Sequence, residues 1–421
     1  MVETGPYFSI NYPETPEITS LPEAIETVTP LPNQAVKRQS VSDVPIGCFL
    51  SGGIDSSSMV ALLQQQSSQP IQTFNVKFET EGYDESPIAR AVAAHCSTDH
   101  HEVVLPNFEF EESIFWEIIE RMGQPFRDSS AIPTYLVSKK IREHVKVAIS
   151  GDGGDELFGG YALFQWYTKI LKLQRIPEFA RSVAGGATSL MQEVGMGGVD
   201  RLRQISRAVQ TAKLGADDVA IALNEQFTEA EISELLPDHN SNHYPRLKTY
   251  PETAASWSPL RKIMYYRGAY TLPSNMLVKV DRMSMANSLE VRAPFLDHEL
   301  FSASTLLADD LLVNGGVGKF ALREAMKPHL PAAVFDHPKQ GFNLPLHHYR
   351  NEAFRALAHR LLFDENPAPN LFPKAVLERI YKQGTTLTKD TATMSVFRAS
   401  HQLWMMMMLF GWIKRFNVQA A

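Results

Sequence analysis

The sequence predicts an α/β protein, with a parallel, doubly wound sheet followed by a mainly helical C-terminal lobe. Short apolar runs alternate with segments of helical periodicity between residues 44 and 149. Strands separated by helices in this way pair in parallel through right-handed crossovers. Two of the apolar runs end in polar, glycine-containing loops, and parallel sheets bind ligands at the carboxyl ends of their strands. These observations predict the fold class and place a candidate site at one edge of the sheet.

The elements follow in order from the residue pattern. The predicted strands are apolar runs that end at turn residues, at 44–50, 71–79, 101–105 and 145–149. The predicted helices between them include 59–63, 86–96, 114–122 and 131–143. From residue 260 onward most segments are predicted to be helical, and the last helix contains four consecutive methionines, Met405 to Met408. We expect these methionines to fill a core rather than to form a binding surface.

Proline and glycine positions predict the domain organisation. Residues 1–35 contain six prolines and little periodicity, so we expect an extended N-terminal arm. Residues 36–258 are expected to form the α/β core with a helical insertion. Residues 259–421 are expected to form the helical C-terminal part.

Composition excludes several classes of protein. The chain has 421 residues, 44% of them hydrophobic, and a net charge of −7, so no basic field attracts nucleic acid. The longest apolar stretch, 403–413, is about half of the ~20 residues that a membrane helix needs. Two cysteines cannot build a disulfide framework, and Cys48 lies in an apolar run, as a buried thiol would. We therefore expect a cytoplasmic protein without nucleic-acid or membrane partners.

The main motif is LSGGIDSS, residues 50–57, which starts at Leu50 and joins an apolar run to a helical segment. A helix that begins there presents unpaired N–H groups and a positive dipole end to an anion. Gly52 and Gly53 let the backbone approach a phosphate, and Asp55 can hold Mg²⁺ against phosphate oxygens. The hydroxyl donors are Ser51, Ser56 and Ser57. A Gly-Lys-Ser/Thr ending is absent, so an ordinary γ-phosphate-transferring NTPase is disfavoured; a serine-capped helix is the alternative.

Three motifs together resemble one known family. SGGIDSS is similar to the pyrophosphate-binding loop of the ATP pyrophosphatase superfamily, whose members attack the α-phosphate of ATP and expel pyrophosphate. SGDGGDELFGGY at 150–161 resembles the second signature of the asparagine synthetases. DRMSMA and EVRAPFLD, within 281–297, resemble the third. The match covers roughly residues 36–415 and implies an adenine nucleotide alpha hydrolase-like sheet with the synthetase site.

The resemblance implies an ATP-dependent amide-forming ligase. Aspartate, ATP and a nitrogen donor would give asparagine, AMP and pyrophosphate through aspartyl-AMP, with ATP and Mg²⁺ required. The motifs leave the acid open: it can be another small carboxylate, as in β-lactam or peptide-ring closure or in the amidation of a specialised metabolite or polysaccharide. A catalytically silent nucleotide-binding subunit is a further alternative, which the intact Asp55, Asp155 and Lys339 argue against.

The resemblance also implies roles for single residues. Asp55 and Asp155 lie in different loops, and paired carboxylates of this kind suit a Mg²⁺ clamp on pyrophosphate, although both can instead cap helices. Asp152 stands where the family has a carboxylate, often Glu, thought to help deprotonate the incoming amine. Lys339 matches a lysine that stabilises negative charge in both steps, and Lys319 is a weaker second cation.

The remaining candidates form two groups. The full nucleotide-binding set is Leu50, Ser51, Gly52, Gly53, Asp55, Ser56, Ser57, Gly151 and Lys319. The candidates for contact with the acid substrate, with turn and cap roles as the alternative, are Asp84, Asp128 and Ser129. Structural ion pairs in the helical lobe are expected for Glu290, Arg292 and Asp297.

The nitrogen source follows from the same resemblance. Glutamine-hydrolysing members begin with an amidotransferase domain whose catalytic cysteine follows the first Met. Val2 takes that position here, and no cysteine precedes Cys48, so we expect a synthetase domain without a glutaminase. We expect ammonia, or a separate glutaminase subunit, to supply the nitrogen. The sequence also allows a homodimer.

Overall fold

Within its described residues, the computed structural model contains a five-stranded parallel sheet and a two-stranded antiparallel sheet. The described residues are 7–78, 84–105, 109–174, 176–177, 211–212, 219, 225–237, 250–336, 346–391 and 394–419. The strands are β1 (Ile46–Phe49), β2 (Gln72–Phe78), β3 (Asp99–Leu105), β4 (Val147–Ile149), β5 (Glu290–Arg292), β6 (Val313–Asn314) and β7 (Val317–Gly318). The predicted α/β class with a parallel sheet is confirmed.

Helices occupy much of the remaining described chain. They are α1 (Leu21–Val28), α2 (Pro30–Gln39), α3 (Ile54–Gln66), α4 (Ser86–Cys96), α5 (Glu112–Met122), α6 (Ala131–Ile141), α7 (Gly154–Phe158), α8 (Ala162–Gln174), α9 (Glu229–Leu235), α10 (Pro259–Tyr266), α11 (Leu277–Met285), α12 (His298–Leu306), α13 (Asp309–Leu312), α14 (Phe320–Met326), α15 (Ala333–Asp336), α16 (Glu352–His359), α17 (Lys374–Thr386) and α18 (Val396–Phe416). Two π-helical segments, Arg267–Met276 and Arg360–Asp364, continue α10 and α16.

The order of the strands locates the candidate site. The five strands lie in the order β3-β2-β1-β4-β5, so β1 is central. Cys48 on β1 pairs with Thr73 on one side and with Ile149 on the other. The chain runs outward in both directions from β1 and β4, which makes the gap between them the topological switch point. Ligands of open α/β sheets bind there, and the loops after β1 and β4 both open at that point.

The sheet is stabilised by a core of apolar side chains on strands and helices. Its buried members are Phe74, Val103, Val137, Ile141, Val145, Ala148 and Leu289. Phe74 packs closely against β1: a Cβ added to Gly47 would lie only 2.6 Å from the Phe74 ring. Truncating such a buried aromatic ring costs about 3–5 kcal/mol. This packing fixes β1 and therefore the loop that follows it.

The described chain divides into two compact units. The first comprises the described parts of 1–107, 134–165 and 250–342, and it contains the five-stranded sheet. The second comprises the described parts of 108–133, 166–249 and 343–421. The domain boundaries predicted at residues 35/36 and 258/259 stay predictions.

The second unit is built around α18. Trp404 is fully buried and meets the ring of Phe115 on α5 edge-on, with centroids 5.8 Å apart. Gly411 lets the two helices approach, because its Cβ would lie 2.9 Å from Phe115. Met406 to Met408 are buried, which confirms their predicted role as core filling. Among the described helices, α18 included, none has the length and apolar character to span a membrane.

The expected extended arm is wrong for residues 21–28 and 30–35, which fall within α1 and α2. Pro22 and Pro30 lie in the first turns of these helices, where a missing N–H costs no hydrogen bond. Residues 7–20 are largely irregular, and Ile18 forms an isolated parallel bridge with Leu307. Prolines that suggested a broken chain therefore begin helices.

The sheet also contains a strand that the sequence did not reveal. Glu290 and Arg292 lie on β5, inside the segment expected to be helical. A three-residue strand with one intervening valine has too little periodicity to be predicted. These residues do form ion pairs: Arg292 Nε lies 2.7 Å from Glu290 Oε1, and an Asp297 oxygen lies 2.8 Å from an Arg38 nitrogen. The pairs lie on β5 and against α2 rather than within a helical lobe.

Candidate active site

Serine hydrogen bonds shape the loop after β1. Ser51 N donates to Ser56 Oγ at 3.1 Å, and the two hydroxyl oxygens lie 2.9 Å apart. Gly53 N donates to Ser51 Oγ at 3.3 Å, and Gly53 is the N-cap of α3. Gly52 has a φ of +88°, and a Cβ there would lie 3.1 Å from a backbone nitrogen of α4. The loop is thus held in one shape before any ligand arrives.

A buried polar chain supports this loop from β2. Asn75 is 2% exposed, and its Nδ2 donates to Leu50 O at 3.0 Å. Ser86 Oγ donates to Asn75 Oδ1 at 2.8 Å, while Ser86 N donates to Asp84 Oδ1 at 3.0 Å. Burial opposes ionisation of Asp84, but the hydrogen bonds from Ser86 prevail and lower its pKa. Asp84, predicted to contact substrate, therefore holds the start of α4, and its contact with substrate stays a prediction.

Sequence reasoning missed Asn75 and Ser86. The available signal was an amide side chain between two apolar residues, Phe74 and Val76, in a predicted strand, because a buried amide must find hydrogen-bond partners.

The loop after β4 touches the loop after β1. Ser150 N donates to Arg292 O at 2.8 Å, which extends the pairing of β4 with β5. A Cβ on Gly151 would lie 2.8 Å from Asp55 Cβ and 2.9 Å from Ser56 N. Glycine is therefore needed at this close approach. The two loops face one another, as the sequence predicts.

Asp152 is a partly buried carboxyl within the second loop. Burial raises its pKa, against the opposing effects of a hydrogen bond from Ser150 and the charge of Lys279. Ser150 Oγ donates to Asp152 Oδ2 at 2.8 Å. Lys279, on α11, is 6% exposed and was missed by sequence reasoning, although it lies two residues before the DRMSMA motif. The arrangement makes Asp152 more basic than an ordinary carboxylate.

A buried lysine joins the two loops. Lys319 Nζ lies 2.5 Å from Asp155 Oδ1 and also contacts Asp55 Oδ2. Lys319 is 4% exposed. Burial alone would lower its pKa, but the charges of Asp55 and Asp155 prevail and raise it. The side chain is thus an ammonium group enclosed by two carboxylates.

The backbone around Lys319 is specialised for this position. Lys319 has a φ of +59°, a left-handed conformation that costs a non-glycine residue about 1–3 kcal/mol. Its N–H donates to Phe158 O at 2.9 Å, and it is the N-cap of α14. A Cβ on Gly160 would overlap Lys319 Cε, and one on Gly318 would lie 2.5 Å from Gly159 O. Gly160 and Gly318 therefore give the lysine its close approach.

The two carboxylates also fit a magnesium ion. Asp55 and Asp155 direct oxygens at one cation from separate loops. Magnesium binds through one or two carboxylates and completes its coordination with water and substrate phosphates. No described group of three or more histidine, cysteine or acidic residues could hold a metal unaided. The donor set therefore fits Mg²⁺ together with a phosphate ligand.

A second buried polar cluster is formed by Glu156 of α7 and its partners. Glu156 is 3% exposed, and Tyr161 Oη donates to its Oε1 at 2.7 Å. Burial raises the pKa of Glu156, and burial likewise raises the pKa of Tyr161. The Arg267 guanidinium lies 4.3 Å from the centroid of the Tyr161 ring, at the start of a π-helical segment. The hydrogen bond from Tyr161 therefore holds the Glu156 side chain within a buried cluster.

Three further predicted site residues are Lys339, Asp128 and Ser129. Lys339 lies outside the described residues. Asp128 and Ser129 belong to the second unit. There Asp128 Oδ1 accepts hydrogen bonds from Ser130 N and Oγ, and Ser129 Oγ lies 3.4 Å from His401 Nε2. Asp128 thus makes a turn that precedes α6, and substrate contact by either residue stays a prediction.

Ser57 is predicted to offer its hydroxyl to a phosphate, and the structure shows how accessible that hydroxyl is. It is fully buried, and its hydroxyl has no hydrogen-bond partner among the described residues. Ser51 is exposed and Ser56 is 7% exposed, so the three predicted hydroxyl donors differ in their access to a phosphate.

Comparison with known proteins identifies similar sequences. The family model described as asparagine synthase matches residues 28–414. Glutamine-hydrolyzing asparagine synthetase 1 of Bacillus subtilis is 33% identical over 349 residues, which cover 82% of this chain and 53% of the relative. A putative glutamine-hydrolyzing asparagine synthetase of Mycobacterium tuberculosis is 32% identical over 326 residues, covering 77% and 48%. Amidase chyE of Penicillium rubens is 25% identical, covering 94% and 64%. The chain spans about half the length of the first two.

Proposed function

Because this chain belongs to the asparagine synthase family, we propose that it is an ATP-dependent ligase that joins a small carboxylate to ammonia. The observation that carries this proposal is the Lys319 ammonium enclosed by Asp55 and Asp155 beside the loop after β1. The proposed acid is aspartate, since the similar proteins of Bacillus subtilis and Mycobacterium tuberculosis are described as asparagine synthetases.

The chemistry requires activation of the acid. A carboxylate does not form an amide directly, because hydroxide is a poor leaving group. In the proposed first step, a carboxylate oxygen attacks the α-phosphorus of ATP, the bond to the β-phosphate bridge oxygen breaks, and pyrophosphate leaves. In the second, ammonia attacks the acyl carbon of the mixed anhydride, loses a proton, and AMP leaves. Both steps build negative charge that fixed donors and cations can stabilise.

The loop after β1 is proposed to receive the pyrophosphate part of ATP. Its glycines admit the phosphate to the backbone N–H groups at the start of α3, and its Ser51 hydroxyl is exposed. Lys319 would place its charge on the oxygens that become negative as pyrophosphate leaves. Asp55 and Asp155 would hold Mg²⁺, which when bound neutralises phosphate charge. Lys339 stays a predicted additional cation.

Asp152 is proposed to act in the second step. A carboxylate whose pKa is raised by burial is a stronger base, so it can accept a proton from ammonium or from the nitrogen that has attacked. The hydrogen bond from Ser150 orients its Oδ2. Lys279, which lowers the same pKa, limits how strong the base becomes.

A second candidate is the same adenylating chemistry with a different acid. The likeness to Amidase chyE covers 94% of this chain, and that relative is described as an amidase rather than as an asparagine synthetase, so another carboxylate is the alternative to aspartate. Both candidates use the same ATP site, so only the acid separates them.

The test is pyrophosphate release from ATP and Mg²⁺ with a panel of carboxylates that includes aspartate. We expect release to depend on one acid, and Asp55→Asn to abolish it while the circular dichroism spectrum stays unchanged. Aspartate dependence selects the first candidate, and dependence on another acid selects the second. A folded protein that binds ATP but releases no pyrophosphate with any acid would contradict both.

The nitrogen donor is tested separately. We expect the purified protein to form the amide with ammonium chloride and to be inactive with glutamine at equal nitrogen, unless a separate glutaminase is added. Equal rates from glutamine, in a preparation free of contaminating glutaminase, would refute this expectation.

A further inference from the structure

The space between the two loops is already filled by a cation that belongs to the chain. The Lys319 ammonium contacts Asp55 Oδ2 and lies 2.5 Å from Asp155 Oδ1. The lysine side chain is 5% exposed, against 21% and 17% for the two aspartates. The carboxylates are therefore open to solvent on one side, while the ammonium lies behind them.

The charges decide what else can enter. The carboxylate oxygens that contact the ammonium are the atoms that a divalent ion would also bind. A divalent ion on these oxygens would lie close to the ammonium, and two positive charges so close together in a mostly buried place repel strongly. A divalent ion in place of the ammonium avoids this repulsion. The ammonium and a divalent ion are therefore competitors, unless an anion enters with the metal.

A nucleotide supplies that anion. The triphosphate carries more negative charge than the metal it brings, so it offers the ammonium a new partner at the moment the metal takes the carboxylates. The Lys319 N–H donates a hydrogen bond to Phe158 O, which holds the backbone in place while the side chain changes its partner. Only the flexible stem of the side chain has to rotate.

We infer that Lys319 is an internal substitute for the metal ion, which holds Asp55 and Asp155 together and keeps the divalent site closed until a nucleotide arrives. The inference rests on the proposed function, because it takes MgATP as the natural ligand. It assigns Lys319 a second task besides charge stabilisation: it makes metal binding depend on nucleotide binding.

The experiment measures Mn²⁺ binding to the free protein, without ATP or any acid, by the electron paramagnetic resonance signal of unbound Mn²⁺. We expect Lys319→Met to bind Mn²⁺ at least about tenfold more tightly than the wild type, because a positive charge beside the ion is removed. The matched control is Lys327→Met, since Lys327 has a 54% exposed side chain and pairs with Glu324 at 2.6 Å. Its Mn²⁺ affinity should equal that of the wild type.

Two further measurements locate the effect. The double variant Lys319→Met/Asp155→Asn should lose the gained affinity. If Lys319→Met does not fold, Lys319→Gln replaces it, since an amide keeps a donor near the carboxylates without the charge. Mg²⁺ alone should raise the Tm of the folded variant more than that of the wild type, because binding to the native state stabilises it.

The outcome can be separated from that of the proposed function. A wild type that binds Mn²⁺ as tightly as a folded Lys319→Met or Lys319→Gln protein would overturn the inference, even if it releases pyrophosphate normally. Failure to adenylate any acid would instead contradict the proposed function and leave the Mn²⁺ comparison intact.

Discussion

Two neighbouring carboxylates on α7 lie in different buried clusters. Asp155 points to the Lys319 ammonium, whereas Glu156 accepts a hydrogen bond from the Tyr161 phenol. Asp155 belongs to an ionic cluster that a new ion can rearrange. Glu156 belongs to a fixed hydrogen-bonded cluster, in which burial raises its pKa. The two carboxyls also differ in depth, since the Asp155 side chain is 17% exposed and Glu156 is 3% exposed. The comparison teaches that a partly open carboxyl paired with a cation is a candidate for chemistry, whereas a closed, hydrogen-bonded carboxyl is a candidate for support.

The largest expected effect distinguishes the two clusters directly. Asp155→Asn should lower pyrophosphate release by about 10²–10³, the cost typical of losing one preorganised electrostatic contact. Glu156→Gln should keep release within about tenfold, because its amide can still accept from Tyr161. Steady-state rates on variants with unchanged circular dichroism spectra provide the measurement. Equal losses in the two variants would mean that the clusters are one functional unit.

The second test measures how much the hydrogen bond between Tyr161 and Glu156 stabilises the fold. Tyr161→Phe should lower the free energy of unfolding by about 1–3 kcal/mol, because it leaves a buried carboxyl without its donor. The matched control is Tyr381→Phe, whose hydroxyl makes only a 3.4 Å contact with Arg355 O at the surface and should cost at most about 0.5 kcal/mol. Urea unfolding measures both. A Tyr161→Phe protein as stable as the control would show that the Tyr161 hydroxyl does not contribute to the free energy of unfolding.

The third test measures how the free energy of unfolding depends on pH. Burial raises the pKa of Glu156 above its ordinary value of 4.5, so the folded state binds more protons than the unfolded state between those two values. Stability contributed by this carboxyl is present below about pH 4.5 and is lost as pH rises through its folded pKa. Tyr161, Asp155 and Arg267 also act on this pKa, and Asp152 contributes with the same sign.

We therefore expect Glu156→Gln to reduce, but not to remove, the decline in unfolding free energy with rising pH. Denaturant unfolding at a series of pH values, for wild type and variant, measures the slope. A variant with the wild-type slope would show that groups other than Glu156 cause the pH dependence.

The smallest effect extends the comparison to two hydroxyls. Ser57→Ala should change stability by less than about 1 kcal/mol and leave the KM for ATP unchanged, because the hydroxyl is fully buried and without a described partner. Ser56→Ala should raise that KM, since the Ser56 hydroxyl accepts from Ser51 N and shapes the loop. A raised KM in Ser57→Ala would confirm the phosphate-binding role predicted from sequence.

The fold was largely predictable because its pattern is local. Four strands and the helix at Ser86–Cys96 follow from apolar runs and periodicity. The loops of Asp55 and Asp155 face each other because they follow two paired parallel strands and therefore leave the sheet at the same edge. The strand Glu290–Arg292 and the helices at 21–39 were missed, because a very short strand has no period and proline begins helices as well as breaking them.

The details of the site were less predictable because they depend on distant contacts. Lys319 was ranked below Lys339, and the sequence did not show that Lys319 joins the two loops through Asp155 and through Asp55, which is 264 positions away in the chain. Nothing in its neighbourhood signals a left-handed backbone or the room made by Gly160 and Gly318. Asn75 and Ser86 likewise acquire their roles only when β2 and α4 are packed.

The bridge between Ile18 and Leu307 has a consequence for how the chain folds. The first unit is assembled from segments within 1–107, 134–165 and 250–342, so its contacts span most of the chain. Contacts of such high sequence separation slow folding, because loop closure must precede them. During synthesis from the N-terminus, β1 to β4 emerge well before β5 and Lys319. Asp55 and Asp155 therefore cannot be enclosed with their cation until synthesis has passed residue 319, which makes closure of the site a late step in folding.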